Sequence, residues 1–258
     1  MSLTPLFDLH THTIASGHAY STLLENITAA KEHGLIAIGT SDHSPGMPFG
    51  TNEIFFENYR VFPEEINGIR LLKGIEVNII DFDGSVDGGQ VMPEMDYVIA
   101  SIHSHCIKSG TIEENTRAVI GAMKNPWVKI IGHLDDGRYP LNYDKIVAAA
   151  LEYKVALEIN DSSLRPSSAR LNGPQQVAIL AEKAVQSKVP VVMGSDAHMW
   201  CHVGRLDAAQ KVLQNVNYPE SLVLNYSLNG LEWLLRKQKY YRQGNTEKLC
   251  LLTKDSLL

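Results

Sequence analysis

Short apolar, β-branched runs alternate along the chain with longer stretches of helical period. The runs Leu6–Leu9, Leu35–Gly39, Arg70–Ile79, Tyr97–Ile102, Val128–Ile131, Val155–Ile159 and Val189–Met193 predict seven strands. Between them the period lengthens. Thr22–His33 opens on a Ser21/Thr22 cap and stops at Gly34, and Thr111–Met123 opens on a capping box of Thr111 with Glu114. Asn142–Tyr153, Pro174–Ser187 and Arg205–Gln214 read as further helices, and Leu228–Tyr241 as a last one. Phe55–Ile66 is less regular because Pro63 interrupts it, and Asp81–Val86 reads as a turn extending the third strand. Strands alternating with helices predict a parallel sheet. With seven strands the expected fold is α/β, a distorted (β/α)7 barrel.

What the strands carry at their ends changes the picture. Asp8-Leu9-His10-Thr11-His12, followed by His18, closes the first run, and Ser41-Asp42-His43 the second. Ser101-Ile102-His103, Ile131-Gly132-His133 and Gly194-Ser195-Asp196-Ala197-His198 close later ones. In α/β barrels the C-terminal ends of the strands carry the chemistry, and neutral imidazole is the commonest protein metal ligand. His10 and His12 are two residues apart, so on a continuing strand both side chains point to one face. Asp196 and His198 repeat that spacing. Glu76 is the odd residue in Leu71–Ile80; an unpaired buried carboxylate is costly, so cations or donors are expected beside it. Asp8 reads either as a carboxylate orienting an imidazole or as a residue of the barrel end. His33, His105 and His202 are left out of the expected ligand set.

Composition narrows the class. No basic stripe accompanies the net charge of −6, so a long nucleic acid is not the expected partner. Cys106, Cys201 and Cys250 form no paired framework, no run approaches a membrane span, and no signal peptide is visible at the N-terminus. The expectation is a cytoplasmic protein with no membrane contact, residues 1–242 forming one barrel domain and 243–258 a C-terminal tail. A mix of carboxylate and imidazole suits zinc, manganese or iron rather than a thiolate site.

Taken together, these blocks resemble the PHP (polymerase and histidinol phosphatase) superfamily, most closely its single-domain YcdX-like phosphoesterase branch. The opening motif with His18, Ser41-Asp42-His43, Gly74-Ile75-Glu76, His103, His133, Ala156–Asn160 and the Gly194–His198 block carry the resemblance, which spans nearly the whole chain. Ser41 stands where threonine is usual, and the His103-Ser104-His105-Cys106 stretch departs from relatives. The resemblance implies a distorted (β/α)7 barrel with three divalent metal ions, zinc first, manganese or iron possible. His10, His12, Glu76 and Asp196 would hold one ion, His18, His43 and His198 a second, and Glu76, His103 and His133 a third, with Glu76 bridging.

The expected activity is metal-dependent hydrolysis of a small phosphorylated metabolite or nucleotide, through a hydroxide shared between metals. Glu76, His43 and Asp196 are the expected catalytic residues. Arg138, Arg165 and Lys108 are candidate phosphate clamps, and Asn160 either a donor to substrate or a cap on the next turn. A phosphodiesterase or exonuclease, a histidinol phosphatase, and a metal-binding regulatory protein are the competing readings.

Overall fold

The computed structural model describes residues 3–235 and the backbone of two short strands beyond them, at Tyr241–Gln243 and Thr246–Lys248. Eight strands form one sheet: β1 (Phe7–Asp8), β2 (Ala37–Thr40), β3 (Glu65–Ile66), β4 (Ile69–Asn78), β5 (Tyr97–Ser101), β6 (Val128–Ile131), β7 (Ala156–Asn160) and β8 (Val191–Gly194). Seven of them run parallel in the order β1-β2-β4-β5-β6-β7-β8. The eighth, β3, has no counterpart among the expected strands and pairs antiparallel with β4. Its hairpin turn is Asn67-Gly68, both at positive φ, the turn pair that fits the twist of a two-residue hairpin.

Period-2 alternation divides each strand between two cores. Leu72, Tyr97, Ile99, Ile130, Ala156 and Val192 pack with Phe7 and Leu9 inside the barrel. Ile75, Val77, Val98, Ala100, Leu157, Ile159, Val191 and Met193 belong to the outer core, with the helices. The covering helices include α1 (Leu23–Glu32), α2 (Glu53–Glu57), α3 (Ile112–Met123), α4 (Tyr143–Tyr153), α5 (Gly173–Ser187) and α6 (Asp207–Asn215). α1 and α3 start on complete capping boxes, Thr22 with Glu25 and Thr111 with Glu114. The last helix, α7, is described over Leu228–Leu235; 236–240 lie outside the described residues, and Tyr241, expected as its end, pairs as a strand with Thr246–Lys248.

Along the inward-facing positions the chemistry changes from one end to the other. Phe7, Leu72, Val192 and Leu224, with Leu231 and Leu234 of α7, close the N-terminal end. Glu76, Ser101, Glu158 and Asn160, all fully or nearly fully buried, line the C-terminal end. The barrel closes between its first and last strands by one bridge at that polar end, Thr11 with Ala197: His12 N donates to Ala197 O at 2.9 Å and Ala197 N to His10 O at 3.3 Å. Below it the seam is stitched by a side chain. Asn225 Nδ2 donates to Phe7 O at 3.0 Å and Met193 O at 2.9 Å, and its Oδ1 accepts from Met193 N at 2.7 Å.

Asn225 is fully buried, so replacing it strips partners from backbone groups that water cannot reach. Asn225→Leu is expected to lower the unfolding free energy by about 2–4 kcal/mol, at roughly 1–3 kcal/mol for each unsatisfied group. Urea titration checks this, and a loss below about 0.5 kcal/mol, the size of an ordinary surface substitution, would show that the seam is held by other contacts.

Candidate active site

Glu76 lies at the centre of the polar end, near the top of β4, fully buried. His43, on the continuation of β2, is bridged to it in register. Four more histidines converge on the same carboxylate. Glu76 Oε1 lies 2.9 Å from His133 Nε2, 3.3 Å from His10 Nε2 and 3.4 Å from His103 Nε2. Its Oε2 lies 2.9 Å from His43 Nδ1 and 3.5 Å from His12 Nε2. Asp196 Oδ1 approaches His10 and His12 Nε2 at 3.6 and 3.3 Å and His198 Nδ1 at 3.4 Å. His18, exposed on its loop, brings Nε2 to 3.0 Å from His198 Nε2 and stacks its ring on His43 at 5.0 Å. All nine expected residues are therefore brought together.

Backbone conformation aims two of them. Asp196 has φ 49, in the left-handed region that aspartate tolerates. His133 sits at the edge of that region with φ 22. Glycine makes room for the cluster at position 194, where a Cβ would collide with Glu158 Oε1 and His10 Cβ.

Several of these contacts are close without being hydrogen bonds. His10 Nε2, His12 Nε2, His43 Nδ1 and Glu76 Oε2 are buried without a hydrogen-bond partner. Four buried polar atoms facing one small space are an expensive arrangement unless an ion is shared between them. Donor atoms within 4.8 Å of one another form the sets His10–His12–Glu76, His12–His43–His198, His10–His133–Asp196 and His43–Glu76–His103. These residues fit divalent cations. The sets share members, and His12 joins His43 and His198 where the resemblance would put His18.

Electrostatics follow from the same crowding. Burial works against ionised Glu76, yet His10, His103 and His43 hold its carboxyl well below the usual range. Burial likewise opposes protonated His10, but Glu158, Glu76 and Asp196 outweigh it and raise its pKa well above that of a free imidazole. His12 is driven well below by burial and by His198 and His43. Burial and the same two neighbours, His43 and His198, lower His18 to about 4.

A family model described as PHP domain matches residues 8–162. The chain belongs to the PHP-domain family. Its relatives include a probable phosphatase of Caldanaerobacter subterraneus subsp. tengcongensis, 43% identical over 241 residues, 93% of this chain and 94% of that protein. A probable phosphatase of Clostridium botulinum is 42% identical over 236 residues, 91% and 96% of the two chains. The chain is accordingly a PHP enzyme of the phosphatase class. Among solved structures, histidinol phosphate phosphatase from Lactococcus lactis, complexed with zinc, L-histidinol and phosphate, shares the fold. Its TM-score is 0.60 at 21% identity, covering 84% of this chain and 95% of that one.

The PHP site is held from behind by groups that the histidine blocks do not reveal. Glu158 Oε1 lies 2.6 Å from His10 Nδ1, and its Oε2 accepts from His133 N at 2.8 Å and Asn160 Nδ2 at 3.0 Å. It fills the orienting role considered for Asp8, which instead accepts from the backbone N–H groups of His10, Ser195 and Gly204. Asp42 takes Thr13 N and Ser16 Oγ, both at 2.7 Å, and Ser16 Oγ lies 3.1 Å from His12 Nδ1. His103 Nδ1 lies 2.7 Å from Asn78 Oδ1, and Asn78 Nδ2 donates to Asp87 at 2.7 Å. A charged residue inside an otherwise apolar strand run, as in Leu157-Glu158-Ile159, was the readable signal for Glu158.

A cavity of about 580 Å³ opens over the histidines, lined also by Arg138, Arg170 and His105. Of the three cations expected to clamp phosphate, Arg138 alone lines it, while hydrogen-bonded to Asp136. Arg165 is turned to Asp161 and the Ser195 carbonyl, and Lys108 is exposed outside the lining. Arg170, which has no motif to mark it, donates to Asp196 Oδ2 at 2.8 Å and Ser163 Oγ at 2.9 Å. Asn160 is fully buried against Glu158 and Asp196, and its Oδ1 accepts from Ser163 N at 3.1 Å, so it caps the turn. His33 Nδ1 donates to the Val203 carbonyl oxygen at 2.5 Å, away from the site.

Orienting carboxylates of this kind are typically worth roughly 10–100-fold in metal affinity. Glu158→Gln is expected to weaken zinc uptake by that order, measured by competition with a chromogenic chelator. Unchanged affinity would show that the Glu158 charge behind His10 does not tune metal binding.

Proposed function

We propose that this PHP domain is a metal-dependent phosphomonoesterase that hydrolyses a small phosphorylated metabolite. What supports the reading most is the set of partnerless nitrogens and carboxylate oxygens around Glu76, at the base of a cavity that also presents Arg138 and Arg170. His10, His12, His18, His43, Glu76, His103, His133, Asp196 and His198 would hold three divalent ions, zinc in the first place, with manganese or iron compatible with the same donors. When bound, such ions lower the pKa of water toward neutrality and neutralise the phosphoryl oxygens.

The chain's own residues do the rest. Glu76 presents both oxygens to different histidine groups, so it serves as the shared ligand. Asp196 joins His10 and His12 to His198, and its other oxygen is fixed by Arg170. His43 links Glu76 to the outer pair His18 and His198. Glu158 holds the His10 ring in one orientation, keeping the Nε2 side free for the site. Arg138 and Arg170, each held by an acidic neighbour, put positive charge on the cavity wall that favours phosphate oxygens. Substrate of modest size suits a cavity of about 580 Å³. No helix among the described residues is long and apolar enough to cross a membrane, and a cytoplasmic setting suits the free thiols of Cys106 and Cys201.

Metal content and turnover test this together. Elemental analysis of the purified protein should give close to three divalent ions per chain, with hydrolysis of a general phosphomonoester such as phenyl phosphate. Glu76→Gln should reduce kcat by more than about 100-fold while circular dichroism shows the fold retained, since one side chain serves more than one ion. A ratio near one, or turnover retained in Glu76→Gln, would contradict the reading.

A further inference from the structure

The loop after β2 places a large aromatic ring where backbone geometry disfavours it. Met47–Gly50 forms a tight turn closed by Gly50 N donating to Met47 O at 2.7 Å. Pro48 takes the second position of that turn and Phe49 the third, at φ 65. A third position at positive φ belongs by preference to glycine or asparagine, and a bulky residue there is strained. The ring gains nothing from packing in exchange, because Phe49 is 87% exposed. Glycine at this position would relieve both the strain and the exposed apolar surface.

The conformation is nonetheless imposed from several sides. Asp87 holds the start of the loop, accepting from Ser44 Oγ at 2.5 Å and Gly46 N at 2.8 Å. The Phe49 carbonyl and Cβ press on Gly17, next to His18, leaving no space there for a Cβ. Phe49 thereby stands at the cavity that His18 and His43 also line. Across that cavity stand Arg138 and Arg170, on the loops after β6 and β7. In the closed sheet order β2 and β7 lie three strands apart one way and four the other, so their loops face each other across the mouth. Met47, Pro48 and Phe49 of the β2 loop give that side of the mouth an apolar lining.

Resting on the phosphomonoesterase reading, we propose that Phe49 is a specificity-determining residue that stacks on the organic group of the substrate, and that the substrate class is phosphate monoesters bearing a flat aromatic or heteroaromatic ring. The ester oxygen then lies toward the histidines and the ring under Phe49. An aromatic pair in offset or edge-to-face contact, added to the area it buries, accounts for about a tenfold preference over a small alkyl group.

Binding of two non-hydrolysable ligands separates this proposal from the reading beneath it. Calorimetry on the zinc-loaded full chain should give a Kd for benzylphosphonate about 10-fold tighter than for methylphosphonate. In Phe49→Ala and Phe49→Gly the gap should shrink to about 2-fold with methylphosphonate affinity unchanged, while Phe49→Tyr keeps it. The glycine variant should melt no lower than the parent, since its backbone is relaxed. An equal gap in parent and variants, no gap in the parent, or equal weakening of both ligands would overturn the assignment. A Phe49-dependent gap without hydrolysis of phenyl phosphate would leave the assignment standing and refute the phosphatase reading; hydrolysis without the gap would do the reverse.

Discussion

A fully buried carboxylate surrounded by five imidazoles is the constraint on which the rest of this molecule depends. Glu76 cannot be ionised inside the barrel without compensation, and the desolvation cost of an uncompensated charge there runs to several kcal/mol. Among the described residues, the ionisable partners within 2.9–3.5 Å of its oxygens are all histidines. Imidazoles can offer lone pairs to a cation, and four buried atoms of the cluster, His10 Nε2, His12 Nε2, His43 Nδ1 and Glu76 Oε2, have no hydrogen-bond partner. Divalent ions held between carboxylate and rings would satisfy both, and the strand ends, the orienting carboxylates and the cavity above are arranged around that cluster.

The barrel tolerates so polar a centre because its two ends are chemically separate. Apolar side chains and α7 seal one end, and the other concentrates nearly all the buried charge. Closure at the polar end is the Thr11–Ala197 bridge, which sets His10 and His12 beside Asp196 and His198. That bridge is short, and the seam beneath it relies on Asn225. Stability and site geometry are thus coupled at one line of the barrel, where the first and last strands meet.

Much of this was legible in the chain because period-2 patterning and strand-end position depend on local sequence. The seven parallel strands, the Thr111–Glu114 capping box and the strand-end histidines are read from runs and spacings that need no partner to be recognised, while the full nine-residue set, His18 included, rests on the family resemblance. What escaped depends on distant contacts. Glu158 gains its meaning from His10, 148 residues earlier in the chain, and Arg170 from Asp196, which no local pattern announces. Asn225 is an unremarked asparagine until β1 and β8 stand on either side of it. Strand β3 was hidden for a different reason: Pro63 obscured a segment whose Asn67-Gly68 turn was a legible signal. Grouping of the donors also lay beyond spacing, since His12 approaches His43 and His198 only through the packing of their rings, at 4.5 and 4.3 Å.

The account stands or falls on Glu76 as a shared ligand, and anomalous diffraction at the zinc edge from crystals of the zinc-loaded protein tests that most directly. The predicted result is anomalous density at two positions in contact with the Glu76 carboxylate, one beside His10 and His12 and the other beside His43 and His103. Density confined to the exposed His18–His198 pair, with Glu76 left to hydrogen bonds alone, would contradict it.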